Sequence, residues 1–301
     1  MIDVLSLRAL IAVADTGSVT SAATLLSYTP SNITQHIRRL ERAVHCTLLE
    51  RVGRGVVLTE YARSLVERGR PILLALDDLA AAHDGEPSGR VRIAVFPTAL
   101  RGLVIPAVAA LTREHPDLVV QPLELEPEES LLFVRTGLTD MALVKTWGRL
   151  AEDAPDPELR RIPLGVDRID AILPSDHPLA GEPGLSMEQL RHEPWAVTPD
   201  DGPYRQWIAA QGGLGSPTGP AYEAAEFQSI IQYISVGLAV GAVPRLGRGP
   251  LPPGVTAVPL TGEASFREVS LVVRTAAADG PNLRAVIQEI RRQSGMSLET
   301  P

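Results

Sequence analysis

The sequence predicts two joined parts: a mostly helical N-terminal segment with a hairpin and a long helix, then an α/β domain of two lobes. Three observations predict this. Glycine and proline number nine in residues 1–90 but 42 in the remaining 211. Apolar residues recur at helical spacing in the first part, whereas short strand-like runs alternate with helical patterns in the second. Between them lies Asp84-Gly85-Glu86-Pro87-Ser88-Gly89, a linker composition. The expected boundaries are 1–58, a linker helix over 59–86, and 87–301. Within the last part, lobe I takes about 91–163 and 266–294, and lobe II about 164–265.

Leu7, Leu10, Ile11 and Ala14 mark a first helix, ended by Thr16-Gly17-Ser18. Ser18 can cap a second helix carrying Val19, Ala22, Ala23, Leu25 and Leu26. Thr29 caps a third, with Pro30 at the first helical position, where its missing N–H costs nothing. Ile33, Ile37 and Leu40 form its buried stripe, and Ser31, Asn32, Thr34, Gln35, His36, Arg38 and Arg39 its outer face. Leu48 to Leu58 is two apolar segments around a Gly53-Arg54-Gly55 tip, which is hairpin chemistry. A helical pattern then runs from Thr59 to about His83.

In the second part, Val91–Val95 reads as a strand and 99–114 as a helix, despite Pro106. Leu118–Leu125 is a strand, Glu128–Thr136 a helix and Met141–Val144 a strand. The alternation continues to a strand at Val269–Val273 and a helix near 282–293. This pattern predicts a largely parallel sheet with helices on its faces.

With 301 residues, 45% hydrophobic and 21% charged, the chain is long enough for about two globular domains. A lone cysteine, Cys46, excludes an internal disulfide. A single buried thiol is the commoner arrangement, and a redox switch would need an exposed one. No apolar run approaches the roughly 18 residues of a membrane span. The start, MIDVLSLRAL, is a poor signal peptide, so a cytoplasmic protein with no membrane partner is expected. The net charge of −8 belongs to residues 91–301, because residues 1–90 hold ten Arg against ten Asp or Glu. Arg38, Arg39, Arg42, Arg51 and Arg54 oppose only Glu41 and Glu50 in one window, a local basic patch compatible with DNA.

Two short helices joined by a tight turn, the second with a polar, Arg-bearing outer face, form a helix-turn-helix, and the hairpin makes it a winged one. Asn and Gln can pair with adenine, Arg with guanine, and Ser or Thr with bases or phosphates. The expected DNA-contacting residues are Thr29, Ser31, Asn32, Thr34, Gln35, Arg38, Arg39 and Arg54. A helical bundle with a solvated face is the alternative.

The runs Ala22-Ala23-Thr24-Leu25-Leu26, Ser31 through Glu41, Leu48-Leu49-Glu50-Arg51 and Leu58-Thr59-Glu60 resemble those of the LysR-type transcriptional regulators. Val91–Val95 with Pro97-Thr98, Asp140–Val144 and Val236–Pro244 extend the resemblance to the second part. It implies an N-terminal winged helix-turn-helix, a dimerising linker helix and an effector domain like a type 2 periplasmic binding protein. Departures from the usual pattern are Gln35 where Arg is common, Pro30 where Gln is common, and Tyr61-Ala62 in place of Ala-Gly. Gly69 and Pro71 are expected to interrupt or kink the linker helix. Leu65, Ile72, Leu76, Leu79 and His83 still fit a pairing seam.

Ligands of open α/β sheets sit beyond the C-terminal ends of strands. Three such ends are Pro97-Thr98-Ala99-Leu100, Lys145-Thr146-Trp147, and the loop with Thr198 and Tyr204. By resemblance, Phe227 and Gln228 face the same cleft. Thr98 and Lys145 point to a carboxylate effector. Scattered histidines lack metal-ligand spacing, and no phosphate loop or GxSxG elbow occurs, so no cofactor, metal or catalytic residue is expected.

The expectation is therefore a LysR-type regulator, not an enzyme. It would bind an interrupted dyad in double-stranded DNA as a homodimer or homotetramer, with RNA polymerase as a further candidate partner. The alternatives are a two-lobe solute-binding or enzymatic α/β protein, and a regulator whose C-terminal domain only oligomerises.

Overall fold

The computed structural model describes residues 1–26, 28–52, 55–81, 86–148, 156–199, 202–215, 222–262 and 265–299. The chain divides into two compact units, Met1–Asp84 and Gly85–Pro301. Among the described residues, no single helix is long and apolar enough to cross a membrane.

The first unit opens with α1 (Val4–Thr16), capped by Asp3 and closed by Gly17 in the left-handed conformation at φ 70°. Ser18 caps α2 (Val19–Leu25), and Thr29 caps α3 (Pro30–Val44). Both hydroxyls accept a first-turn N–H that the helix itself leaves unpaired. β1 (Leu49–Val52) pairs antiparallel with β2 (Gly55–Leu58), with Val52 opposite Gly55. Arg54 lies outside the described residues. Leu10, Ile33, Leu40 and Leu48 are wholly buried between the helices and the hairpin. Each such side chain contributes roughly 1.5–3 kcal/mol by leaving water. Cys46 is exposed, not buried. The reason is local: His45 ends α3 in the left-handed conformation at φ 54° and carries the chain off the core.

The second unit begins with β3 (Gly89–Val95), α5 (Pro97–Ala99), a π turn over Leu100–Val104 and α6 (Ile105–Glu114). The π turn runs into α6 with helical backbone throughout, its Ile105 N–H reaching the Leu100 carbonyl, and Pro106 stands just past this i→i−5 turn, where a widened turn accommodates the ring. β4 (Leu118–Glu124), α7 (Pro127–Thr136) and β5 (Met141–Trp147) complete the first βα repeats. Then come β6 (Leu159–Pro174), β7 (Ala196–Val197), α8 (Pro203–Ala210), β8 (Tyr222–Glu223), α9 (Phe227–Ser235) and β9 (Gly241–Pro244). The described elements end with β10 (Val255–Pro259), β11 (Phe266–Arg274) and α10 (Pro281–Ser297).

The strand order is β10-β6-β11-β5-β3-β4, with β9 also on β6. Only β4, β3 and β5 run parallel within it; β11, β6, β9 and β10 pair antiparallel. The expected largely parallel sheet is therefore a mixed one. β6 is the reason. Its first half pairs with β11 in lobe I and its second half with β9 and β10 in lobe II, so one strand serves both sheets. The ladder shifts register between Val269 and Ser270, opposite Gly165 and Pro163, and Gly165 adopts φ 146° there. A bulge of this kind bends a strand, here where it leaves one lobe for the other.

The linker helix α4 (Glu60–Ala81) runs unbroken through Gly69 and Pro71. Gly69 is a packing residue rather than a breaker: a Cβ there would lie 2.8 Å from Cδ1 of Leu7 on α1. The neighbouring Arg70 donates through Nη1 to Oδ2 of Asp15 at 3.1 Å. Ala62, Val66 and Leu73 bury the same side of the helix. Leu65 also packs partly on this core, so it is not purely a seam residue. Ile72 and Leu76 stay 58% and 41% exposed. The side chain of Leu79 and all of His83 lie outside the described residues.

Gly69→Ala should be close to neutral, because the gain in helix propensity offsets a small shift of Leu7. Gly69→Leu should destabilise the first unit by about 1–3 kcal/mol through overpacking. Urea unfolding midpoints of the two variants check this.

Candidate functional site

Where β3 and β5 end, β11 starts and lobe II begins, there is a cavity of about 480 Å³. Its floor is Arg267, the second residue of β11. The first residues of β11 place Arg267 in phase with Val269, Leu271 and Val273, which are all buried. The arginine is 0% exposed, and its partner Asp167 on β6 is 1% exposed. Arg267 Nε donates to Asp167 Oδ2 at 2.8 Å, and Nη2 donates to Oγ1 of Thr98. The guanidinium carbon lies 5.1 Å from the Phe96 ring centroid and 5.6 Å from that of Trp147. Burial lowers the pKa of this guanidinium, and Asp167 opposes that shift. Its Nη1 is buried without a hydrogen-bond partner among the described residues. Thr198 Oγ1, just after β7 and also in the cavity lining, is buried and unpartnered in the same way.

Asp167 has a second duty. Its Oδ1 accepts the Leu246 N–H at 2.8 Å, which fixes the loop after β9. The next residue, Gly247, lies so close to Thr98 that a Cβ would stand 2.2 Å from the Thr98 carbonyl oxygen. Gly102, in the π turn, meets the same loop, with its Cβ position 2.9 Å from the Gly247 nitrogen. One ion pair thus ties β6, β11, the start of α5 and the loop at 246 together.

The remaining wall is aromatic. Trp147 lies 5.0 Å from Tyr204 and 5.2 Å from Trp207, and Phe227 meets Tyr204 edge-on at 5.3 Å. The Tyr204 hydroxyl donates to the Ala242 carbonyl at 2.8 Å, so the residue offers the cavity a ring face rather than a polar tip. Burial raises its pKa and keeps it protonated. Lys145 donates to Glu126 Oε2 at 2.6 Å and stands over Phe96.

Of the residues expected at a ligand site, the structure brings Pro97, Thr98, Lys145, Trp147, Thr198, Tyr204 and Phe227 to this cavity. Four others lie outside its lining. Ala99 is wholly buried in the lobe I core and Leu100 packs against that core. Thr146 alternates to the other face of β5, between Lys145 and Trp147. Gln228 donates to the Arg248 carbonyl at 2.8 Å. Arg267 was not foreseen. The available signal was a lone charge in phase with the buried face of an apolar strand.

In the first unit, α3 turns Ile33, Ile37 and Leu40 inward and leaves Ser31, Asn32, Gln35, Arg38 and Arg39 exposed. The exposed Thr29 hydroxyl is engaged with Asn32 N and Ser31 Oγ, and Thr34 donates to the Pro30 carbonyl. His36 is half-buried and stacks on Tyr28 at 5.8 Å instead of facing freely outward.

The family model described as the LysR substrate binding domain matches residues 84–295. That of the bacterial regulatory helix-turn-helix protein, lysR family, matches residues 5–63. The chain belongs to the LysR family of transcriptional regulators. It is 28% identical over 252 residues to an HTH-type transcriptional regulator, YnfL, of Escherichia coli, covering 81% of this chain and 82% of that one. It is 25% identical over 296 residues to a probable hydrogen peroxide-inducible genes activator of Mycobacterium leprae, covering 94% and 92%. Among solved structures it resembles full-length OxyR from Pseudomonas aeruginosa, with a TM-score of 0.72 at 18% identity over 99% of this chain and 96% of that one. It also resembles full-length BenM, with a TM-score of 0.58 at 19% identity over 99% of each chain. In this LysR-type regulator the helix-turn-helix is the DNA-binding part, and the cavity lies in the effector-binding part.

Asp167→Ala would leave Arg267 buried without its counter-charge and release the Leu246 N–H. A loss of about 3–5 kcal/mol from the stability of the second unit is expected. Thermal and urea unfolding followed by tryptophan fluorescence checks this, since Trp147, Trp195 and Trp207 all lie in that unit.

Proposed function

We propose that this LysR-type regulator binds an interrupted dyad as a dimer or tetramer, and that a small carboxylate effector in the Arg267 cavity controls that binding. The buried, unpartnered Arg267 Nη1 is the observation that carries the effector reading. Leaving such a donor unmet is costly, and a ligand carboxylate meets it with a charge-assisted bond. Thr198 supplies a second bond, Thr98 holds the arginine in place, and Trp147, Tyr204 and Phe227 enclose the rest of the ligand.

Gln35 and Arg38, exposed on α3, are proposed to read base edges in the major groove, with Ser31, Asn32 and Arg39 beside them. Thr29 and Thr34 act mainly within the helix, and Arg54 is proposed as the wing contact from sequence alone. Ile72 and Leu76 are proposed to pair the linker helices of two subunits. Two-fold pairing would present two recognition helices to two half-sites. An effector that binds one arrangement of subunits better shifts operator affinity or contact with RNA polymerase by its differential affinity. The reading is of a cytoplasmic, non-catalytic protein. Residues 87–301 contain no cysteine, so a disulfide within the effector part cannot carry the signal.

Selection of bound genomic fragments by the purified protein should yield a dyad-symmetric site. Gln35→Ala and Arg38→Ala should each weaken binding to it by about 1–3 kcal/mol. An absence of enrichment at moderate salt, or both variants binding like the parent, would count against this assignment.

A further inference from the structure

The polar atoms left free in the cavity define more than a carboxylate. Two lining residues each carry a buried group that has no partner among the described residues, Arg267 Nη1 and Thr198 Oγ1, and both can donate. Together they satisfy one carboxylate and no more. Lys145 is no second anion site, because Glu126 already holds it at 2.6 Å. The mouth adds Glu126 and Glu226, which are 57% and 48% exposed. A second anionic group on the ligand would find the cations at this mouth, Lys145 and Arg101, already set opposite Glu126 and Glu226.

The body of the ligand meets rings. Phe96, Trp147, Tyr204 and Phe227 line the cavity together with four prolines. Tyr204 turns its hydroxyl away to Ala242, so this wall offers faces and edges but no hydrogen bond from the phenol. Such a wall favours a flat apolar body, which it meets by stacked and edge-on contacts. A cavity of about 480 Å³ leaves room for one or two fused rings.

We propose that the effector of this chain is an aromatic monocarboxylate. Its carboxylate lies on Arg267 and Thr198, and its ring lies against the wall that Trp147, Tyr204 and Phe227 form together. This rests on the cavity being the effector site, as proposed above.

The test is calorimetric titration of the full chain with benzoate, phenylacetate and 1-naphthoate. Benzamide, phthalate, hexanoate and succinate serve as comparators. At least one aromatic monocarboxylate should bind saturably. Its amide, dicarboxylate and aliphatic counterparts should bind at least about tenfold more weakly. Thr198→Val and Trp147→Ala should each weaken that binding about tenfold while leaving the cooperative unfolding transition in place. Arg267 is left intact in these variants because its removal endangers the fold. Hexanoate or succinate binding as tightly as the best aromatic monocarboxylate would overturn the aromatic class, and phthalate doing so would overturn the limit to one carboxylate; either result keeps the carboxylate cavity. Binding untouched by both substitutions would overturn the site. If no carboxylate binds, both the class and the effector reading fall.

Discussion

A cation buried at the crossing between two lobes constrains the rest of the effector domain. Taking Arg267 out of water is tolerable only because Asp167 is buried with it in direct contact. The two residues come from β11 and β6, the strands that lead from one lobe to the other. Thr98 and the Leu246 N–H complete the set, so the start of a lobe I helix and a lobe II loop share one reference point. Gly247 and Gly102 then follow as steric necessities, since side chains there would collide with the segments this network draws together. The incomplete satisfaction of the guanidinium is the other half of the arrangement. A fully paired arginine would be structure alone, whereas Nη1, without a partner among the described residues, is the atom on which the proposed effector site rests.

The first unit solves a different problem. DNA recognition needs side chains held in fixed directions yet left in solvent. α3 achieves this by burying Ile33, Ile37 and Leu40 and capping its start with Thr29. The same economy governs α4. It is anchored to α1 through Gly69 and the Arg70–Asp15 pair, with Val66 and Leu73 buried beside them, while Ile72 and Leu76, on the flank of that face, stay exposed. A helix of this kind is oriented by its own domain before any second subunit meets it.

What could be read from the sequence was mostly local chemistry. The caps at Ser18 and Thr29, Pro30 at a helix start and the alternating elements of the second part all depend on residues a few positions apart. The loops after strands could be placed for the same reason, which brought Thr98, Lys145, Trp147, Thr198, Tyr204 and Phe227 into view. Neighbours such as Ala99, Leu100, Thr146 and Gln228 came with them because a loop is a window, and only side-chain phase separates one residue from the next. Arg267 escaped because its meaning lies in Asp167, 100 residues away. Gly69 reads as a helix breaker until Leu7 is seen against it. The mixed sheet was hidden because strand direction is set by which strands pair, and no short run of residues records that.

An arginine enclosed by the fold and a wall made of ring faces differ in how strictly they judge a guest. Buried donors penalise steeply any molecule that fails to meet them, while apolar walls discriminate a methylene more or less by only about 1–3 kcal/mol. Substitutions at 147, 204 or 227 would alter the shape that is accepted and leave the anchoring ion pair untouched. A lineage built on this plan can exchange one signal molecule for another in small steps without rebuilding the machinery that responds to it.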